Sequence, residues 1–151
     1  MKNNILLALS VILFSAVAAH AGHHEAEEKR TVIGMGLSMD GDSKPLYSGS
    51  MSNMKIWQEW IQAHNDRDFD KIAAMNSDDF NVSLPNGERV VGSAAHRELL
   101  EGWIGGANTT WKIWWMIPND AVNADGVMEE WLSTGNMLTM TDADGNVSRE
   151  F

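Results

Sequence analysis

The stretch Trp60-Ile61-Gln62-Ala63-His64-Asn65-Asp66-Arg67-Asp68-Phe69-Asp70 decides how the chain is read. Upstream of it, Ile56, Trp57, Trp60, Ile61 and His64 recur at i, i+1, i+4, i+5 and i+8, which is one stripe of an amphipathic helix beginning at Met54. Within it the stripe ends, and Asp68 stands where a carboxylate can cap a second, shorter helix with Phe69, Ile72, Ala73 and Met75 on its inner side. The period then changes from 3.6 to 2. Phe80, Val82 and Leu84 alternate with Asn81 and Ser83, a half-buried strand closed by the turn Pro85-Asn86-Gly87.

Beyond that turn, Val90 and Val91 make a brief strand and Gly92-Ser93 opens a third helix. Ser93 is its candidate cap, Leu99, Leu100, Trp103 and Ile104 its apolar side, and Gly105-Gly106 its end. The rest reads as strand. Residues 109–122 form a long one interrupted by Pro118, which suits a bulge or an edge. Residues 123–126 are a turn, 127–140 a second long strand, 142–145 another turn, and 147–151 the start of a third strand at which the sequence stops. Helix, helix, strand, strand, helix and then long antiparallel strands is an α+β order, with helices on one face of a curved sheet.

The quoted stretch resembles the first helix pair of the nuclear-transport-factor-2-like superfamily, which includes the SnoaL-like polyketide cyclases and ketosteroid isomerase. Ile72, Asp78-Asp79, Val82, Pro85, Gly92 and Ala94-Ala95 follow in the order of the family's next landmarks, and the likeness covers residues 54–151. It implies a cone, a curved antiparallel sheet wrapped around three helices, with an apolar pocket and commonly a homodimer. The family's last strand has no counterpart here, so a chain cut short is expected.

The resemblance carries a pocket better than it carries a reaction. Ketosteroid isomerase uses an Asp base with an oxyanion hole of Tyr and a protonated Asp. The base position, just before the proline of the first strand, is Leu84 here, and the helix-one Tyr position is Trp60, whose indole can donate but cannot shuttle a proton. Nothing near Arg149 replaces the third carboxylate. The implied pocket lining is Trp57, Trp60, Leu84, Trp103, Trp111 and Trp115.

Three residues are candidates for catalysis. His64, four residues after Trp60, faces the same wall and is read either as an acid/base group or as a structural imidazole bonded to backbone. Glu129 and Glu130 are adjacent on a strand, so one faces inward and the other outward, and either could pair with His64 across the pocket or lie exposed at the rim. His96 stands where the family is apolar, which points it inward, with a surface position as the alternative. On the first long strand Trp111, Ile113 and Trp115 share one face and Lys112, Trp114 and Met116 the other. Lys112 makes the second face the outer one, leaving Trp114 and Met116 for a partner subunit or for the N-terminal arm.

Composition narrows the function classes. Eleven Lys and Arg stand against 21 Asp and Glu, a net charge of −10. That balance argues against a nucleic-acid binder and disfavours docking on anionic lipid, because little in the chain could neutralise a run of phosphates. There is no Cys, so disulfides, zinc–thiolate sites and cysteine nucleophiles are excluded. Seven Trp is a high count for this length, and at least some of them should line a core or pocket. The segment Asp142-Ala143-Asp144-Gly145-Asn146 has its glycine at position four rather than six of a calcium loop and reads as a hairpin turn. No cofactor motif is present.

Lys2 followed by the apolar run 5–19 and Ala19-His20-Ala21 reads as a signal peptide over residues 1–21, with Ala16-Val17-Ala18 as a second cleavage site. The run is too short for a membrane span. A periplasmic or secreted protein of charge −11 follows, because cleavage removes Lys2 and no acid. Cleavage after Ala21 would also create Gly22-His23-His24, whose amine, amides and His24 imidazole suit Cu(II) or Ni(II). The plainer account is a polar leader. Residues 22–52 are expected as a flexible arm with a short strand at 31–35, and residues 53–151 as the SnoaL-like domain.

The expected function is therefore an exported pocket protein for a small hydrophobic or aromatic molecule. The alternatives are a SnoaL-like enzyme of isomerase, dehydratase or cyclase type using His64 and a strand Glu, and a dimeric accessory module that binds another protein.

Overall fold

A computed structural model describes residues 30–37, 41–84, 86–142 and 144–150. In chain order the elements are β1 Val32–Leu37, β2 Ser43–Ser48, α1 Ser52–Asp66, α2 Phe69–Met75, β3 Asn81–Ser83, β4 Arg89–Val91, α3 Ser93–Ile104, β5 Asn108–Val122, β6 Met128–Thr141 and β7 Val147–Glu150. Five strands form one antiparallel sheet in the order β1-β2-β5-β6-β7, and β3 and β4 form a separate hairpin. The expected α+β architecture, with helices against a curved antiparallel sheet, is the one observed. Among the described residues no helix is long and apolar enough to cross a membrane.

The helix ends follow local chemistry. Asp68 caps α2 as its sequence position predicts, accepting from the Lys71 amide at 3.0 Å. Ser93 does not cap α3. Gly92, at φ 89°, takes that place, and the Ser93 hydroxyl donates instead to the Ala73 carbonyl of α2. α1 ends at Arg67 in the left-handed region, at φ 58°. Its guanidinium compensates by donating to the carbonyls of Asn65, Ala107 and Thr109, which ties the helix end to the start of β5.

Trp57, Trp60, Ile61 and His64 of the predicted stripe are buried, whereas Ile56 is 56% exposed, so the stripe is one residue narrower than the spacing suggests. The core joins Trp57, Trp60, Ile61 and Ala63 of α1 to Ile72, Leu100, Ile104, Trp111 and Leu138, and a second cluster gathers Phe80, Val82 and Leu84. Removing one such large side chain costs about 3 to 5 kcal/mol.

Two differences from expectation concern strands. Within residues 22–52, where one short strand was expected, the two strands β1 and β2 pair, and β2 joins β5 through Leu46↔Ala121, Tyr47↔Asp120 and Ser48↔Asn119. Gly34, Gly36 and Pro45 break the alternation that would have marked them. The second difference is a β-bulge. β5 pairs with β6 through Ile113↔Asn136 and then Trp115↔Gly135, so Trp114 is the extra residue. It lies at Trp114, not at Pro118. One extra residue inverts the alternation beyond it. Lys112 is exposed as expected, but Met116 turns inward against the core beside Ile113, while Trp115 is 49% exposed. Met116 is therefore not part of an outer face.

Candidate binding site

The helices and the sheet enclose a cavity of about 330 Å³, near the lower end of the range for ligand pockets. Trp57 and Trp60 from α1, Leu84 after β3, Trp103 from α3, and Trp111 and Trp115 from β5 are placed along its wall. His64, His96, Asn136 and the 59%-exposed Trp114 join them. None of the lining residues carries a formal charge at neutral pH. Among the described residues no three His, Asp or Glu side chains are grouped to hold a metal.

Two side-chain clamps set the wall. Trp111 is held on its free strand edge by Asn65, whose Nδ2 donates to the Trp111 carbonyl at 3.0 Å while its Oδ1 accepts from the Trp111 amide at 2.7 Å. Trp57 donates its indole N–H to Asn136 Oδ1 at 3.3 Å. The ring of Trp57 stacks on Trp60 with centres 5.0 Å apart, and Trp60 lies against His64 at 3.8 Å and parallel to His96 at 5.9 Å. Trp111 meets His64 edge-on at 5.6 Å.

His64 and His96 are 3% and 4% exposed, and their ring centres are 6.1 Å apart. Burial pushes the His64 pKa down to about 4, against a smaller upward pull from its bond to the Trp60 carbonyl and with a further push from His96. Burial alone lowers His96 to about 4. Both rings are neutral at pH 7, and each then has one donor and one acceptor nitrogen.

The hydrogen bonds decide which nitrogen is which. His64 Nδ1 lies 2.8 Å from the Trp60 carbonyl oxygen, which can only accept, so His64 carries its proton on Nδ1 and a lone pair on Nε2. For His96 the assignment is set by Asn76. The Trp60 indole N–H can only donate, and it lies 3.3 Å from Asn76 Oδ1, which turns Asn76 Nδ2 toward Ser93 and His96. Ser93 sends its own proton to Ala73, so it accepts from Asn76. His96 Nδ1, 3.2 Å from Asn76 Nδ2, accepts as well, and the His96 proton sits on Nε2.

The glutamates lie elsewhere. Glu130 shares the inner-face parity of β6 but accepts from Asn53 Nδ2 at 3.2 Å, at the opposite end of α1 from His64. Asn53 and His64 are eleven helical steps apart, about 16 Å along the axis. Glu129 accepts from Asn123 at 2.9 Å. Neither lines the cavity, and the His64–glutamate pair is not assembled; His64 has His96 as its titratable neighbour instead. Trp60 donates its indole N–H to Asn76. Asn76, Thr134 and Asn136 escaped the sequence reading. For Thr134 and Asn136 a signal existed, because they share the parity of Leu132 and Leu138 on β6. For Asn76, at the end of α2, there was none. The signal-peptide residues and His24 lie outside the described residues.

No family model matches the sequence, and no curated protein matches it. Among solved structures the chain is similar to Aln2 from a Streptomyces species, with a TM-score of 0.51 and 20% identity over 68% of this chain and 76% of that one. A likeness at that identity is one of fold. The chain shares an α+β fold with this neighbour, helices against a five-stranded antiparallel sheet, which is consistent with a nuclear-transport-factor-2-like cone.

Proposed function

We propose that this is an exported binding protein for a small hydrophobic or aromatic molecule. The observation that carries the reading is the cavity of about 330 Å³ walled by Trp57, Trp60, Trp103 and Trp111 and free of charged side chains. Aromatic walls supply large apolar contact with defined ring-on-ring geometry, while a few neutral polar atoms fix orientation. Export rests on the signal-like residues 1–21, and a periplasmic or secreted location follows from it. A homodimer through the sheet face is the accompanying reading, supported by Trp114, Trp115 and Ile117, each about half exposed or more. Binding is favoured over turnover by magnitude. A base whose conjugate acid has a pKa of about 4 is weak at pH 7, and no carboxylate is at hand to strengthen it.

Native mass spectrometry of the protein purified from the exported fraction of its own host tests this. A folded species heavier than the chain, releasing a small apolar molecule on denaturation, is the expected result. A protein that is recovered empty and fails to take up naphthalene or indole, followed by tryptophan fluorescence, would overturn the binding reading. Sedimentation as a monomer at micromolar concentration would overturn the dimer.

A further inference from the structure

His64 and His96 present opposite hydrogen-bonding characters to one cavity. Their Nδ1 atoms are engaged by the Trp60 carbonyl and by Asn76. Neither Nε2 has a protein partner among the described residues, and neither is among the fully occluded unpartnered atoms, which are Asp120 Oδ1 and Glu150 Oε2. Each ring is nonetheless almost wholly buried and lines the cavity, so the space each Nε2 meets is the cavity itself. One Nε2 brings a lone pair and the other an N–H.

A hydroxyl group is the smallest ligand feature that satisfies both, since it donates through its proton and accepts through its oxygen. An oxygen about 2.8 Å from each of two nitrogens spans up to about 5.5 Å between them. That span is compatible with rings whose centres are 6.1 Å apart. An uncharged ligand is favoured because the lining holds no Lys, Arg, Asp or Glu and the chain as a whole carries −10. A bare hydrocarbon would leave the two buried polar nitrogens without partners.

We infer that the cavity selects a neutral hydroxylated aromatic molecule of phenol type, its hydroxyl donating to His64 Nε2 and accepting from His96 Nε2–H. This inference rests on the reading that the cavity binds an aromatic molecule and adds the polar group that sets its orientation.

Titration of the full chain with 2-naphthol, naphthalene and 2-naphthoate, followed by tryptophan fluorescence, tests it. The expected result is 2-naphthol bound on the order of tenfold or more tighter than naphthalene, with naphthoate weakest, since each hydrogen bond adds a modest net gain. The variants His64→Phe and His96→Phe are expected to lose the preference for naphthol over naphthalene. A second readout needs no variant. Ring-nitrogen NMR of ¹⁵N-histidine-labelled protein is expected to show one buried Nδ1–H ring and one buried Nε2–H ring, with 2-naphthol shifting both Nε2 signals. Equal binding of naphthol and naphthalene, or two buried rings of the same tautomer, overturns the inference while the aromatic pocket stands. Binding of none of the three probes overturns the pocket reading and the inference with it.

Discussion

Asn65 acts as a one-residue strand partner for Trp111. Its amide accepts from the Trp111 N–H at 2.7 Å and donates to the Trp111 carbonyl at 3.0 Å. At this point β5 has β6 on one side only, because its pairing with β2 is confined to residues 119–121. The clamp thus satisfies two backbone groups that the sheet leaves open, and it fixes the neighbouring His64 ring edge-on to the Trp111 indole.

Replacing Asn65 by Ala therefore leaves a partly buried N–H and C=O without partners. The expected loss is about 2 to 4 kcal/mol. Urea unfolding monitored by tryptophan emission measures it, and a loss under about 0.5 kcal/mol, the scale of ordinary surface substitutions, would show that water takes over the role.

Stability is expected to fall as the pH drops from 6.5 toward 4. Folded His64 and His96 titrate at about 4 and the unfolded residues at 6.5, so in that window the unfolded chain binds more protons and acid favours it. The contribution is fully present above pH 6.5 and gone below about 4. It is on the order of 3 kcal/mol for His64 and less for His96, the slightly more exposed ring. Asp120, raised above 3.8 by burial against the counter-pull of Arg30, acts in the opposite sense at the acid end. Denaturant midpoints at a series of pH values measure the slope. The double variant His64→Phe, His96→Phe isolates the imidazole part and is expected to flatten it.

Asn76→Asp is expected to reverse the His96 tautomer. The new carboxylate can still accept from the Trp60 N–H, but it offers His96 Nδ1 an acceptor where the amide offered a donor. His96 would then carry its proton on Nδ1 and its pKa would rise toward or above 6.5. Ring-nitrogen chemical shifts across pH 4 to 8 report both changes. An unchanged Nε2–H signal would show that Asn76 does not set the tautomer.

Gly135→Ala is expected to open the cavity mouth. A Cβ at this position overlaps the indole of Trp115, its cross-strand partner beside the bulge. Because Trp115 is half exposed, the ring can swing out, at a cost of about 1 to 3 kcal/mol. A red-shifted emission and faster iodide quenching of one tryptophan are the expected signatures; an unaltered spectrum would place the ring elsewhere.

The periodic part of this protein can be read along the chain. The switch from a 3.6 to a 2 repeat between Met75 and Phe80, the Asp68 cap and the long strands after Gly106 depend on neighbours a few residues apart, and so the α+β order was legible, whereas the lining positions came only with the family resemblance. Tertiary structure alone decided the rest. The bulge at Trp114 has no local marker, yet it turned Met116 inward by shifting one register step against β6. The glutamates carried the right side-chain chemistry, but the length of α1 set Glu130 far from His64. The proton positions on His64 and His96 follow from hydrogen bonds in which Asn76, Trp60 and Ser93 meet from α2, α1 and α3, and hydrogen-bond direction is a property of that meeting, with no counterpart in the order of residues along the chain.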